Sequence, residues 1–234
     1  MNTITFQSAL QQSNVAATKL GSRAATPDGR RWVYTKASEN ISAGNVVVPN
    51  TVTALAATTL TSSVDSQGRN VLITYSTGGL TPGQFEDTFI TIDGGTGAGQ
   101  IAKVKGNTAK VIELYPEYAL ATSLDSTSTA KVVGGYYVKN SVVSTKIQNT
   151  VGIAQAAITS GNYAWVLTNG IGLVNAGAST LVVGAGFVTG DATTAGYVVV
   201  ATTAKGALDE QSLGTCLVAN GANNKATLIN ATIY

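Results

Sequence analysis

β-Branched side chains set the limits on this chain: about one residue in seven is threonine, valine is almost as common, and no long stretch repeats apolar residues at a helical period. Two heavy atoms on Cβ restrict χ1, which suits the pleated surface of a sheet better than the crowded surface of a helix. Short alternating runs bounded by Gly, Pro, Asn or Asp read as strands at 31–36, 70–75, 88–92, 100–105, 110–114, 136–139, 163–167, 197–201 and 226–234. Asp28-Gly29, Asp93-Gly94, Asn169-Gly170 and Asn220-Gly221 tolerate the positive φ of tight turns, and the clearest hairpin expected is Tyr163–Val174 turning at Asn169-Gly170. The fold class expected is all-β, a β-sandwich or β-barrel, with an extended N-terminal arm.

The arm is residues 1–27, which have mixed polarity, no sustained alternation and at most one short helical stretch. Fully extended, it would reach roughly 80 Å, far enough to lie across a neighbouring subunit. Its apolar Ile4, Phe6 and Leu10 would gain by burial there, so removal of residues 2–26 is expected to leave the β-core folded and to weaken assembly. Composition breaks at 123–129 and 144–150 divide the rest into a first β-region, 28–130, and a second, 131–234. The pieces Ile41-Ser-Ala-Gly-Asn45 and Ile158-Thr-Ser-Gly-Asn162 look alike, as one turn chemistry used twice.

Several chemistries are excluded at once. With no His and one Cys, the chain holds no Ser-His-Asp or Cys-His group, no His-ligated or Cys-rich metal site and no intrachain disulfide. Cys216, in an alternating run with no cation near it in sequence, reads as a small buried hydrophobe. Fourteen basic and 12 acidic residues leave a net charge of +2, too small and scattered for a nucleic-acid partner, and no stretch is a membrane span or signal peptide. The glycines of Asp93-Gly-Gly-Thr-Gly-Ala-Gly-Gln100 are followed by a strand pattern, so they read as a hairpin tip, not a phosphate cradle. The pairs Glu86-Asp87 and Asp209-Glu210 are adjacent, which on a strand points them to opposite faces and forms no acid/base couple. Asp65, Asp93 and Asp125 are isolated loop acids with no calcium-loop spacing. Lys103 and Lys105 share a strand face, with Lys110 nearby, but no aromatics interleave to stack bases. Trp32 with Tyr34, and Tyr163 with Trp165, each share a face through i, i+2 spacing, as core or as an interface or sugar platform. No catalytic, cofactor-binding or metal-ligating residue is expected, and the chain reads as non-enzymatic.

The run Pro27-Asp-Gly-Arg-Arg-Trp-Val-Tyr-Thr-Lys36 followed by Ile41-Ser-Ala-Gly-Asn-Val-Val47 resembles the early segment of virion structural proteins from tailed bacteriophages. The Gly-rich turn, strand and Gly-Asn-Thr turn of residues 90–108 are similar to that family's pattern, as are Val151-Gly-Ile-Ala154, residues 158–166 and Asn169-Gly170. The likeness covers residues 27–175 and is made of turns and aromatics. It implies a capsid decoration, or cement, protein: a homotrimer on the exterior of the virion, made in the bacterial cytoplasm, with the major capsid protein as partner. Ile4, Phe6, Leu10, Arg30, Arg31 and Trp32 are the expected assembly interface. The alternative is a carbohydrate-binding or tail/fibre structural module.

Overall fold

A computed structural model describes residues 2–50, 53–55, 60–133, 135–141, 150–177, 180–189, 194–200, 212–219 and 226–233. The fold is all-β, and the described residues form two compact units. Unit 1 is Met1–Pro49 with Val138–Tyr234, and unit 2 is Asn50–Tyr137. The units are therefore bounded differently from the division into 28–130 and 131–234: the second unit is inserted into the first. The physical reason is a non-local ladder, because Val138 pairs with Pro49 and continues the strand that precedes the insertion.

Unit 1 begins with β1 (Asn2–Thr3), a single helical turn α1 (Phe6–Ala9), β2 (Gln12–Ser13), β3 (Arg23–Ala25), β4 (Arg31–Ala37) and β5 (Val46–Pro49). Unit 2 contributes β6 (Thr53–Leu55), β7 (Leu60–Val64), β8 (Asn70–Tyr75), β9 (Phe89–Gly94), β10 (Ile101–Asn107), β11 (Val111–Leu114) and β12 (Thr129–Val133). The chain then follows β13 (Tyr137–Asn140), β14 (Gly152–Ala154), β15 (Tyr163–Asn175), β16 (Gly186–Thr189), β17 (Val198–Val200), β18 (Gly214–Cys216) and β19 (Ala226–Thr232).

The seven strands of unit 2 run in the order β6-β12-β9-β10-β11-β8-β7. Laid flat, they would put the outer strands about 29 Å apart. Leu55 and Leu60 end and begin those outer strands, and five Cα steps reach at most roughly 18 Å, so the sheet must curl. The concave side is filled by Leu55, Leu60, Ile73, Ile90, Ile92, Val104, Ile112 and Leu114, all 0–1 % exposed. The β9–β10 connection is the Gly-rich tip expected from the sequence. There Gly95 has φ +69°, and a Cβ on it would lie 2.0 Å from the Thr127 carbonyl oxygen, which only glycine avoids.

In unit 1 the strands follow β1-β3-β4-β13-β5-β14-β15-β19-β18-β16-β17, and an additional β4–β15 pairing closes β4, β13, β5, β14 and β15 into a ring. The centre of this arrangement is β15, 13 residues long, which pairs with β4 and β14 in its first half and with β19 in its second. This corrects the expected hairpin at Asn169-Gly170: the chain runs straight through. The register against β4 slips between Leu167 and Asn169, and Gly170 sits at φ +105°, so its positive φ serves a bulge at which the strand bends and changes partners. The look-alike pieces near Ile41 and Ile158 meet in an isolated bridge, each Ile N–H donating to the other's carbonyl at 2.9 and 2.8 Å.

The N-terminal segment is extended with one helical turn, yet it lies on its own unit rather than reaching away from it. β1 pairs in parallel with β3, β2 pairs with β15, and Ala9 is buried in the unit 1 core beside Trp32, Leu167 and Phe187. The intervening residues Gln11–Ala17 are exposed.

Candidate assembly site

The motif Pro27–Lys36 builds the best-defined polar cluster of unit 1. Asp28-Gly29 makes the turn from β3 to β4, with Gly29 at φ +88°. Arg30 binds the Asp28 carboxylate through both Nε, at 2.8 Å, and Nη2. The Thr26 hydroxyl donates to the other Asp28 oxygen at 2.5 Å and accepts the Trp32 indole N–H at 3.2 Å. These hydrogen bonds, Arg30 first and Thr26 second, hold the Asp28 carboxyl well below the usual carboxylate range.

The arm closes over this cluster. Phe6 packs 6.4 Å from the Trp32 ring, and the Arg30 guanidinium lies 3.8 Å from the Phe6 ring centroid. A pocket of about 380 Å³ opens beside it, lined by Asp28, Gly29, Arg30, Gly170 and Ile171. Of the six residues expected to form an assembly interface, the structure thus brings together Phe6, Arg30 and Trp32, with Ile4 packed against the same core. Trp32 is fully buried in its own unit, Leu10 is half-buried after α1, and Arg31 is exposed on the neighbouring strand position. The cluster is an intramolecular clasp between arm and barrel.

The aromatic pairs are used in the same way. Tyr34 stacks on Tyr163 and tilts against Trp165 at 5.0 Å, directly across the β4–β15 ladder. Burial pushes the Tyr34 phenol up, although the Ala17 N–H donating to its oxygen works the other way. Lys36 lies 5.0 Å from the Tyr163 ring.

In unit 2 the expected basic stripe is resolved into pairs. Lys105 binds Glu113 at 2.6 Å, and Lys103 reaches Asp87 at 3.3 Å. Asp87, which the sequence offers only as half of the adjacent pair with Glu86, has a side chain just 3 % exposed. It accepts the Tyr115 hydroxyl at 2.9 Å and has the only positive φ, 59°, among described residues other than glycine. It braces β10 against the turn after β11. Asp65 binds Arg69, Asp93 binds Lys131, and Asp125 accepts from Thr127 and Thr96. Those bonds hold all three carboxyls below their ordinary value. The pair Asp209-Glu210, the turn at Asn220-Gly221 and Tyr234 lie outside the described residues.

These lowered carboxyls fix the expected pH response. A group whose folded pKa lies below its unfolded value contributes stability above the unfolded pKa, near 3.9 for Asp, and loses it as pH falls through the folded value. No histidine is present to titrate between pH 5 and 8. Melting temperature is therefore expected to stay level from pH 8 to 5 and to fall below about pH 4. A melting curve series that drops between pH 7 and 5 would contradict it.

Charge is distributed very unevenly. From Thr150 to Ile233 every described residue is uncharged, and Asp191, Lys205, Asp209, Glu210 and Lys225 lie outside the described residues. Within this stretch Ile171, Leu173, Val182, Val183, Leu217 and Val218 are 40–68 % exposed. Register places them together. Ile171 pairs with Asn230, Asn230 with Thr215, and Thr215 with Gly186, which makes one row across β15, β19, β18 and β16. The Gly184 N–H donates to Cys216 O and the Cys216 N–H to Ala185 O, at 2.9 Å each, so the Val182–Ala185 turn borders the end of β18 where Leu217 and Val218 follow. Cys216 is buried beneath, its thiol donating to Val218 O at 3.0 Å.

Compared with family models, curated proteins and solved structures, the chain matches none.

Proposed function

We propose that this chain is a non-enzymatic structural protein of a tailed-phage virion, a decoration protein that binds the outer capsid shell and stabilises contacts between capsomers. The observation that carries the reading is the sheet surface of unit 1 around Ile171, Leu173, Leu217 and Val218, which bears exposed aliphatic side chains and, among the described residues, no charged one. Monomeric soluble proteins rarely expose contiguous apolar patches, and such surfaces mark sites of protein–protein contact. The paired acids and bases of unit 2 and the buried aromatics of unit 1 serve packing, and the Pro27–Lys36 motif that carries the resemblance to virion proteins is what anchors the arm. Cosedimentation with purified empty capsids tests the reading. Saturable occupancy at a fixed ratio to the major capsid protein is expected. No binding to shells, or binding to a glycan array instead, would replace it with the carbohydrate-binding alternative.

A further inference from the structure

We infer that the exposed sheet face of unit 1 takes a partner segment carrying a carboxylate beside an aliphatic side chain, with Arg23 and Arg31 as its anion-binding residues. The inference rests on the proposed function for the partner's identity, the shell protein, and on register for its chemistry. Arg31 pairs with Ala25 on one side and Asn169 on the other, Thr3 pairs with Ala25, and Asn169 pairs with Thr232. These five residues make one row across β1, β3, β4, β15 and β19, and directly opposed residues share a face of the sheet. Two residues along β3, Arg23 shares that face; two residues along β15 so does Ile171, with Leu173 beyond it. The opposite face carries Trp32, Leu167, Val174, Ile229 and Ala231, which belong to the unit 1 core. Arg23, Arg31, Ile171 and Leu173 are all exposed. Arg31 thus has Arg23 and Ile171 as its diagonal neighbours, each about 7–8 Å away along the backbone surface.

Like charges on neighbouring strands repel, and elsewhere this chain partners its strand cations. Each lysine on the strands of unit 2 meets a carboxylate: Lys103 meets Asp87, Lys105 meets Glu113 and Lys131 meets Asp93. Arg23 and Arg31 pair with no carboxylate among the described residues, and the Asp28 carboxylate, nearest in sequence to Arg31, is taken by Arg30 and Thr26. A guanidinium presents a planar fork of donors that matches a carboxylate through two parallel hydrogen bonds. A carboxylate set between the two arginines relieves their repulsion. An aliphatic side chain next to it on the partner then covers Ile171 and Leu173, which are 55 % and 41 % exposed. Charge complementarity therefore makes the partner acidic at the β3–β4 end of the face and apolar along β15.

The full-length chain is titrated calorimetrically with three synthetic peptides, of alternating Asp and Leu, Asp and Ser, and Lys and Leu, at about 0.01 M ionic strength, where screening is weak. The Asp-Leu peptide is expected to bind with Kd below about 1 mM, the Asp-Ser peptide more weakly and the Lys-Leu peptide not at all. Arg23→Glu combined with Arg31→Glu is expected to weaken Asp-Leu binding at least about tenfold. Arg23→Gln combined with Arg31→Gln removes both charges without adding acids, and is expected to weaken binding too, with an unchanged melting curve. No binding of the Asp-Leu peptide, equal binding of it and either other peptide, or equal binding by wild type and the charge-reversed variant would overturn the inference. So would a lowered melting temperature of the glutamine variant, since an acid of this chain itself, such as Asp191, Asp209 or Glu210 outside the described residues, would then hold the arginines. Shell cosedimentation is measured separately: a chain that binds the Asp-Leu peptide and ignores shells removes the decoration reading and leaves this site standing.

Discussion

Deleting residues 2–26 is expected to unfold unit 1 and leave unit 2 folded. The deletion removes β1, α1, β2 and β3 and with them the buried Ala9, Leu20 and Ala24. It also strips Phe6 and the Thr26 hydroxyl from the fully buried Trp32, whose indole N–H then has no acceptor. Burial of one leucine is worth about 1.5–3 kcal/mol, and an orphaned buried donor costs about 1–3 kcal/mol. With the lost ladder contacts, the total is at least about 5 kcal/mol, a large share of the stability of an ordinary domain. Both tryptophans, Trp32 and Trp165, belong to unit 1, so their emission reports on that unit alone. The truncated chain is expected to emit as if unfolded while retaining a β-type circular dichroism transition from unit 2. Native emission with an unchanged melt would restore the detachable arm that the sequence suggests.

Trp32→Ala carries the second large effect. The ring fills the junction where the arm, β4 and β15 converge, and Leu167 is its cross-strand partner. Truncating a fully buried tryptophan costs about 3–5 kcal/mol, because the surrounding barrel strands collapse only partially into the space. Trp32→Phe keeps most of the volume and gives up the indole hydrogen bond, so about 1–2 kcal/mol is expected. Urea unfolding followed by tyrosine fluorescence and circular dichroism gives both values. Similar costs for the two substitutions would mean that the hydrogen bond to Thr26, not packing, holds the clasp.

The strands that the sequence made legible are runs of β-branched and aromatic residues bounded by turn residues. Asn70–Tyr75 agrees to the residue, and Arg31–Ala37 extends the expected span by one, although neither alternates in burial: Trp32, Val33, Tyr34 and Thr35 are buried in succession. Strands of three or four residues such as β3, β14, β16 and β18 are too short to show a period. Asn169-Gly170 misled because a glycine with positive φ serves a bulge as well as a turn, and only the partner strand distinguishes them. The insertion was invisible for a related reason: nothing in Pro49 or Val138 announces that residues 89 positions apart will pair. Phe6, Arg30 and Trp32 were legible only as parts of an expected assembly interface, and their meeting within unit 1 depended on the pairing of β1 with β3.

The insertion of unit 2 has a kinetic consequence. To form unit 1, the chain must bring Pro49 and Val138 together, and closing a flexible loop of that length costs about 4 kcal/mol in configurational entropy. Unit 2 has its own core, and in its folded state the Asn50 N–H donates to Tyr137 O at 2.7 Å. Once unit 2 has folded, its two ends are already neighbours, and the β5–β13 ladder of unit 1 closes as if across a tight turn. Folding of the inserted unit thus lowers the entropic barrier for the unit that surrounds it in sequence, and the order of events during synthesis favours the middle of the chain before its ends.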